Sequence, residues 1–527
     1  MANPSIPPQT AATEFGMSIG AVLLSLLLLC QIAMAGGTVG FNVKWYSTPS
    51  FPFVNVNYPV TAGVVIADFN RDGIPDVAYS WPCCESSSSS AAVIVKLGTS
   101  GGNLGPDIFY QFGADDLSEL ATADLNGDGW LDITARDPIL GWISVLLNNG
   151  DGTFQYSAIV GLGGLPGSFA LGDFNHDGKI DLAGIACDGP NGGYPLGDVN
   201  CRLNVLLGDG TGTHFTQSQS IQLAAGASYD LHSADINGDG NLDLVYVRDS
   251  RAVIRWGLGN GTFSPQIYLK PPTIDPMDAV AVADFNNDGR LDITLLSGAT
   301  CDTVPERGPC GVGNVNTVWM YKNNGGTSFT LTTHTQFTAQ AGAIVPADIN
   351  GDLNQDLLHY NPFATGLYPQ LGGAGGFAYA LGLGHDTLGT QGGLPGGAVS
   401  AVAFRDMDGD SRADFAFIDW SNGLAIGIQT GGWKNCPPPS SANLAAKICG
   451  ISNGATVSSP VRVKASGNSP AGVNQMQVWI DGKKKYVKWG DQLSKSFTLS
   501  SGKHRISVSA NDKYMGTAKT AVTVTVP

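Results

Sequence analysis

Seven short acidic segments recur along this chain of 527 residues. Each segment spans nine residues and follows the pattern Asp-x-Asn/Asp-x-Asp-x-x-x-Asp. The segments begin at Asp68, Asp124, Asp173, Asp235, Asp284, Asp348 and Asp406. Ca²⁺ takes about six to eight oxygen ligands, and carboxylates on a short, sharply bent loop bring several of them to one point. The spacing therefore predicts a calcium site in each acidic loop, up to seven in all.

Positions 1, 3, 5 and 9 of each loop are expected to supply side-chain oxygens, and position 7 its backbone carbonyl. The side chain at position 7 varies freely, as a carbonyl ligand permits. The candidate metal ligands are Asp68, Asn70, Asp72, Ile74, Asp76, Asp124, Asn126, Asp128, Trp130, Asp132, Asp173, Asn175, Asp177, Lys179, Asp181, Asp235, Asn237, Asp239, Asn241, Asp243, Asp284, Asn286, Asp288, Arg290, Asp292, Asp348, Asn350, Asp352, Asn354, Asp356, Asp406, Asp408, Asp410, Arg412 and Asp414. The alternative is a set of solvated Asp/Asn/Gly turns that bind no metal.

Position 6 distinguishes the loops from one another. It is Gly in the first five loops, where a sharp turn favours a residue without Cβ, but Leu353 in the sixth and Ser411 in the seventh. The sixth loop is therefore expected to bind most weakly, whereas the seventh gains a fourth carboxylate from Asp408. No His or Glu recurs beside the loops to activate a water molecule, so the ions are expected to be structural and no catalytic residue is assigned.

The acidic loops must be held by the segments around them. Each loop lies between two short apolar runs, such as GVVIA before the first loop and DVAYSW after it. Runs of this length, rich in β-branched, aromatic and small residues, are typical of strands. A third run, a Gly/Asn turn and a more polar fourth run complete a repeat of about 56 residues. Seven such repeats predict an all-β fold, a seven-bladed β-propeller within residues 36–433.

A strand, a nine-residue acidic loop and a second strand, repeated seven times over residues 41–433, resemble the FG-GAP or VCBS repeats of the integrin α-subunit propeller and its bacterial relatives. The resemblance implies Ca²⁺ between the first and second strands of each blade. An EF-hand is excluded because it needs Glu at position 12, where no repeat has one. The seventh repeat stops after its third strand, so residues 41–58 are expected to supply the outer strand of the last blade and close the ring.

The N-terminal segment and the cysteines indicate the cellular compartment in which the protein acts. Residues 19–35 are apolar and uncharged and end in Ala33-Met34-Ala35, so residues 1–35 are expected to be a signal peptide, with an uncleaved anchor as the alternative. The disulfides expected in an exported chain are Cys187–Cys201, Cys301–Cys310 and Cys436–Cys449. Cys83 and Cys84 are adjacent and form either a vicinal disulfide or two free thiols. We therefore expect a secreted or cell-surface protein.

The C-terminal part has a different character. Residues 434–450 form a Pro-rich linker, and residues 451–527 alternate polar and apolar side chains in six or seven short runs, which predicts a small β-sandwich. This segment resembles bacterial Ig-like modules. From residue 434 onward the chain has thirteen Lys or Arg and three acidic residues. This basic surface is expected to contact anionic glycans, lipid headgroups or the propeller, unless it is only a solvated face.

Composition narrows the function. A hydrophobic content of 43% with 14% charged residues excludes a disordered chain, and 71 glycines favour a turn-rich β protein. The net charge of −16 argues against nucleic acid as a partner. We expect a monomeric, calcium-stabilised binding or adhesion protein that recognises a glycan or a surface protein through the loops opposite the metal loops. The alternatives are a polysaccharide lyase or hydrolase, although no repeat-breaking residue stands out for the central funnel, and a purely structural envelope component.

Overall fold

The computed structural model describes residues 29–32, 39–46, 62–81, 91–112, 117–138, 140–188, 199–223, 230–273, 277–297, 316–337, 342–349, 354–360, 377–382, 388–394, 399–409, 413–419, 423–429, 444–449, 451–457, 459, 461–468, 473–489, 492–512 and 517–527. The regular elements in these ranges are all β-strands, which confirms the all-β expectation. Among them, no helix is present that is long and apolar enough to cross a membrane.

The strands fall into two groups along the chain. The first group comprises β1 (Leu29–Ile32), β2 (Val39–Tyr46), β3 (Val64–Ala67), β4 (Asp76–Trp81), β5 (Ala92–Lys96), β6 (Gly98–Thr99), β7 (Asn103–Leu104), β8 (Ile108–Gln111), β9 (Ser118–Ala123), β10 (Asp132–Asp137), β11 (Trp142–Asn148), β12 (Phe154–Gly161), β13 (Leu165–Gly172), β14 (Asp181–Asp188), β15 (Val199–Gly208), β16 (Phe215–Gln222), β17 (Leu231–Ala234), β18 (Asp243–Arg248), β19 (Arg251–Arg255), β20 (Ile267–Leu269), β21 (Met277–Ala283), β22 (Asp292–Ser297), β23 (Asn316–Gly325), β24 (Ser328–Phe337), β25 (Ala343–Ala347), β26 (Asp356–Tyr360), β27 (Phe377–Gly382), β28 (Leu388–Leu394), β29 (Val399–Arg405), β30 (Asp414–Asp419) and β31 (Gly423–Gln429). The second group comprises β32 (Ala445–Cys449), β33 (Val461–Asn468), β34 (Val473–Ile480), β35 (Lys483–Trp489), β36 (Gln492–Phe497), β37 (Gly502–Asp512) and β38 (Thr517–Val526).

In the described residues, the first group forms seven antiparallel sheets of four or five strands, which follow one another along the chain, and one two-stranded sheet, β6-β7. Six of them have four strands in the orders β3-β4-β5-β8, β9-β10-β11-β12, β13-β14-β15-β16, β17-β18-β19-β20, β21-β22-β23-β24 and β25-β26-β27-β28. The first strands of neighbouring sheets contact one another from β3 to β25, and β29 of the last sheet contacts β3 of the first. Residues of β25 and β29 lie in one hydrophobic cluster. Because contacts return from the last sheet to the first, the arrangement is propeller-like.

The last sheet combines both ends of this group. Its order is β1-β2-β31-β30-β29, and β2 pairs with β31 in antiparallel register from Phe41 opposite Gln429 to Tyr46 opposite Leu424. The outer strand next to β31 therefore comes from the N-terminal side of the first acidic loop. Strand β1 lies inside the segment for which we expect cleavage, and without it the sheet has four strands, like the other six.

Burial explains why the second strand of each sheet is an apolar run. Every residue of Asp292–Ser297 is buried, and Asp181–Asp188 is buried along all but its last residue, because these strands lie between two neighbouring sheets. Outer strands such as Ile108–Gln111 alternate between half-buried and exposed residues. Position 2 of the acidic loops is apolar and buried in all seven repeats, at Phe69, Leu125, Phe174, Ile236, Phe285, Ile349 and Met407.

Side-chain amides tie each of three sheets to the sheet before it. Asn148 donates to the backbone carbonyl of Phe69 at 2.9 Å, and Asn323 donates to that of Ile236 at 2.7 Å. Gln429 likewise donates to the backbone carbonyl of Ile349. All three amides are buried and lie at or near the end of a third strand. Buried hydrogen bonds of this kind fix the spacing between neighbouring sheets.

One expected disulfide is confirmed. Cys187 and Cys201 are bonded and buried, and they join β14 to β15 on either side of a connection of ten residues outside the described ranges. Cys449 is also in a disulfide, while Cys436, its expected partner, lies outside the described residues. Cys83, Cys84, Cys301 and Cys310 lie outside them as well.

Replacing both Cys187 and Cys201 by alanine should lower the free energy of unfolding by about 3 kcal/mol, because the bond restricts a loop of roughly 15 residues in the unfolded chain. Urea unfolding followed by circular dichroism measures this change. A loss below about 1 kcal/mol would show that the bond does not restrict the unfolded chain to this extent.

The second group forms two facing sheets with one core. Their orders are β32-β33-β36 and β35-β34-β37-β38. Alternate residues of both sheets, including Val463, Val478, Leu493 and Val508, are fully buried between them. The C-terminal part is thus a two-sheet sandwich, as its alternating pattern indicates.

Candidate functional site

The first five acidic loops share one backbone conformation at positions 4 and 6. Position 4 has a positive φ in the first five loops, at Arg71, Gly127, His176, Gly238 and Asn287, and again at Gly409 in the seventh. Position 6 also has a positive φ, from 81° to 96°, at Gly73, Gly129, Gly178, Gly240 and Gly289. Left-handed backbone favours glycine, which explains the invariant Gly at position 6 of these loops. The requirement at position 4 is hidden in the sequence because Asn, His and Arg also occur there.

Hydrogen bonds within each loop orient its oxygens. In the third loop, Asp173 accepts from the backbone N–H of Gly178 at 2.9 Å, and Asn175 accepts from that of Asp177 at 3.0 Å. Asp177 in turn accepts from the N–H of Lys179 at 2.9 Å. The first, second and fourth loops repeat these contacts at the same positions. The side chains at positions 1, 3 and 5 are therefore preorganised by their own loop.

Position 9 has a distinct structural role. Asp76, Asp132, Asp181, Asp243, Asp292, Asp356 and Asp414 are all fully buried. In Asp132, one oxygen accepts from the N–H of Leu125 at 2.8 Å and the other from that of Asn148 at 2.9 Å. The carboxylate thus joins the acidic loop to the third strand of the sheet. A further role as a bidentate metal ligand stays a prediction.

Two observations test whether the loops fit a cation. One oxygen each of Asp406, Asp408 and Asp414 in the seventh loop lie within 4.8 Å of one another. In the second loop, Oδ1 of Asp124 is buried and accepts no hydrogen bond, although burying a carboxylate oxygen without a partner is costly. A hard cation supplies the charge that both arrangements lack, so these loops fit Ca²⁺.

The electrostatics of the loops agree with this fit. Burial raises the pKa of Asp76, Asp132, Asp181 and Asp243 to about 6 and that of Asp414 to about 7, against the hydrogen bonds that lower it. Neighbouring carboxylates raise the pKa of these groups further. The ionised form of these carboxylates is therefore less favourable than in an exposed aspartate, and a bound cation would offset part of this cost.

The described residues include most of the predicted ligands. Asn350 and Asp352 of the sixth loop and Asp410 and Arg412 of the seventh lie outside them, as do Leu353 and Ser411. The expectation that the sixth loop binds most weakly therefore stays a prediction.

A second group of polar side chains lies at the ends of the first strands that face away from the acidic loops. Glu119 forms an ion pair with Arg136, Oε2 to Nε 3.1 Å, and accepts a hydrogen bond from Ser168 at 2.9 Å. In the sheet that begins with β17, Nε2 of His232 lies 2.8 Å from Oδ1 of Asp230, the residue just before that strand. The Ser168 hydroxyl accepts from the N–H of Leu231, the residue between them, and so connects the two pairs. These five side chains form the polar cluster, to which β9, β10, β13 and β17 contribute.

The polar cluster is open to solvent yet rigidly supported. The side chains of Glu119 and Asp230 are 30% and 25% exposed, and that of His232 is 46% exposed. Asp230 is anchored by the N–H of Val280 at 2.7 Å, and Arg136 donates to the carbonyl of Pro166 at 2.9 Å. A first strand of six residues spans about 20 Å, so the cluster and the acidic loops lie at opposite ends of the sheets.

Burial and the charges within the polar cluster shift the pKa of Glu119 and of His232. Desolvation raises the pKa of Glu119, and the charge of Arg136 and the Ser168 hydrogen bond partly oppose it. Desolvation lowers the pKa of His232, but Asp230 and Glu119 raise it by more, so that the net shift is upward. The imidazole is therefore held closer to its charged form than an isolated histidine at the same pH.

The sequence analysis missed these residues, and its expectation that no residue breaks the repeat was wrong. Five residues before the acidic loop, the chain has Gly63, Glu119, Ser168, Asp230, Ala279, Ala343 and Ala401. Three consecutive repeats thus carry a polar residue where the other four carry Gly or Ala. Three residues before the loop, only the fourth repeat is polar, with His232. Alignment of the repeats on their acidic loops would have revealed both positions.

Glu119 lies at a β-bulge, a feature that β13, β21 and β29 also have near their starts, but it combines the bulge with a positive φ. Its φ is +30°, and β9 shifts its register against β10 there, so that Glu119 is an extra residue between Ser118 and Leu120. Such a bulge redirects a side chain out of the regular alternation of a strand. Strained backbone of this kind is concentrated at functional sites.

Comparisons with known proteins agree with the repeat assignment. Residues 124–184 and 235–295 match a family model described as an FG-GAP-like repeat, which confirms the expected resemblance for these two segments. A search of curated proteins gave no match. A solved structure of an Agrocybe aegerita lectin that recognises non-reducing terminal N-acetylglucosamine is 17% identical and covers 84% of this chain and 86% of that chain, with a TM-score of 0.30. Similarity at that TM-score carries no argument about fold or ligand.

Proposed function

We propose that this chain is a calcium-stabilised, seven-bladed β-propeller of the FG-GAP type that acts outside the cytoplasm and binds a glycan. Its C-terminal sandwich is an Ig-like module in this proposal. The observation that carries the binding function is the polar cluster, because Glu119, Ser168 and Asp230 stand where the other four repeats have Gly or Ala, and all three belong to one connected group. The acidic loops stabilise the scaffold from the other end of the sheets.

The chemistry of the polar cluster suits a hydroxyl-rich ligand. The carboxylates of Glu119 and Asp230 are acceptors, whereas the imidazole of His232 carries an N–H donor. All three are partly exposed, and Glu119 and Asp230 are held in place by Arg136 and by the backbone N–H of Val280. A saccharide presents hydroxyl groups that both donate and accept, so it satisfies such a mixed set without bringing a net charge.

Replacing Glu119 and His232 by alanine should weaken glycan binding by about tenfold to a hundredfold each, since hydrogen bonds to charged groups contribute about 1.5–3 kcal/mol. Glycan-array screening with calcium present identifies the saccharide, and titration calorimetry then measures the affinity of each variant. The matched control is His214→Ala, an exposed histidine at the turn between β15 and β16, at the acidic-loop end of its sheet.

Other outcomes decide against this function. Release of a shortened product from the bound glycan would instead identify a polysaccharide-degrading enzyme, for which the His232–Asp230 pair beside Glu119 is the catalytic candidate. Complete absence of glycan binding would favour a protein ligand or a purely structural role.

A further inference from the structure

The C-terminal sandwich contacts the fifth acidic loop, residues 284–292. Lys495 of β36 donates a hydrogen bond to the backbone carbonyl of Asn287. The backbone of β35 approaches so closely that a Cβ added to Gly289 would lie 2.5 Å from the carbonyl oxygen of Val487. Lys495 also lies 5.2 Å from the ring centroid of Tyr486, so both strands meet the loop at one place.

Burial sets the fifth loop apart from the first four. Asp284, Asn286 and Asn287, at positions 1, 3 and 4, are all buried. The residues at position 4 of the first four loops, Arg71, Gly127, His176 and Gly238, are all exposed. The same acidic sequence is therefore covered in one repeat and open in four, because the sandwich lies over it.

The covering surface brings positive charge to this loop. Lys488 is only 8% exposed, and it lines a cleft of about 230 Å³ together with Asp284, Gly289, Pro346 and Gln355. On the propeller side, Lys322 lies 3.6 Å from Asp288.

We propose that the C-terminal sandwich is a charge-complementary cap on the fifth acidic loop, and that this cap and a calcium ion in that loop exclude each other. Lys488 and Lys495 supply the positive charge that Ca²⁺ supplies elsewhere. A divalent ion beside a buried ammonium group meets strong repulsion, so binding of calcium at this loop releases the sandwich. The exclusion rests on the proposed calcium binding of the loops, whereas the docking does not.

The experiment compares the full chain with its Lys488→Ala/Lys495→Ala variant. Lys483→Ala/Lys484→Ala is the matched control, because these two lysines lie on β35, like Lys488, but are exposed. Small-angle X-ray scattering measures the maximum dimension, and titration calorimetry counts calcium ions and their affinities. In chelator, the natural chain and the control should be compact and the Lys488/Lys495 variant extended. In millimolar calcium, all three should be extended.

Calorimetry should show one site whose affinity rises about tenfold in the Lys488/Lys495 variant. Equal dimensions of the natural chain and this variant in chelator would overturn the docking. Compact dimensions of the natural chain in saturating calcium, with calcium bound, would overturn the exclusion. Absence of any calcium binding would overturn the proposed calcium sites, while the scattering difference in chelator would still decide the docking.

Discussion

Removal of calcium should lower the melting temperature of the protein by on the order of 5–10 °C for each site that was loaded. A site loaded at a hundred times its dissociation constant stabilises the folded state by about 2.7 kcal/mol, and each kcal/mol shifts the melting temperature of a large domain by about 2–4 °C. The acidic loops contain half of the 44 acidic residues of the chain. Without bound cations, burial and the neighbouring carboxylates raise the pKa of the position-9 aspartates, and backbone hydrogen bonds only partly oppose this shift.

Differential scanning calorimetry in calcium and in chelator measures this shift. Added Mg²⁺ should restore little of it, because Mg²⁺ demands a tighter octahedral shell. The matched substitutions are Asp124→Asn, which removes the charge at a buried unpartnered oxygen, and Asp151→Asn on an exposed turn. Only Asp124→Asn should reduce the difference in melting temperature between calcium and chelator. An unchanged melting temperature in chelator would show that the loops are solvated turns.

Disrupting the sheet that joins β2 to β31 should also destabilise the folded protein strongly. Phe41 of β2 is 3% exposed and packs edge-on against Phe415, with ring centroids 4.7 Å apart. Phe41→Ala should therefore lower the free energy of unfolding by about 3–5 kcal/mol, the usual cost of deleting a buried aromatic ring. Removing Val39–Tyr46 altogether should have a larger effect, because β31 is buried along its whole length and would become an exposed edge.

Chemical denaturation followed by circular dichroism measures the loss for Phe41→Ala, and size-exclusion chromatography detects edge-to-edge association of the deletion variant. Trp45→Ala on the same strand is the control, since that side chain is 42% exposed and should cost much less. A deletion variant that stays monomeric and unfolds like the natural protein would contradict the closing role of β2.

Much of the fold was predictable because its determinants are local. Strand length, turn glycines and the apolar run of each second strand lie within a few residues of one another, and the acidic loops mark them seven times. The positive φ of Gly73 and Gly129 follows from the same local rule. Repetition makes these weak signals consistent, so the all-β fold and the FG-GAP resemblance follow from the order of residues alone.

The sequence by itself determined the strands, the repeat and the candidate ligands, since each depends on neighbours along the chain. Only the tertiary structure decided which loop is covered, which carboxylate stands beside His232, and that both oxygens of Asp132 hold backbone amides. Lys495 and Asn287 are 208 residues apart, and Ser168 and Leu231 are 63 apart. Contacts over such separations depend on how the sheets close into a ring and where the sandwich packs against it, and local spacing carries no information about either.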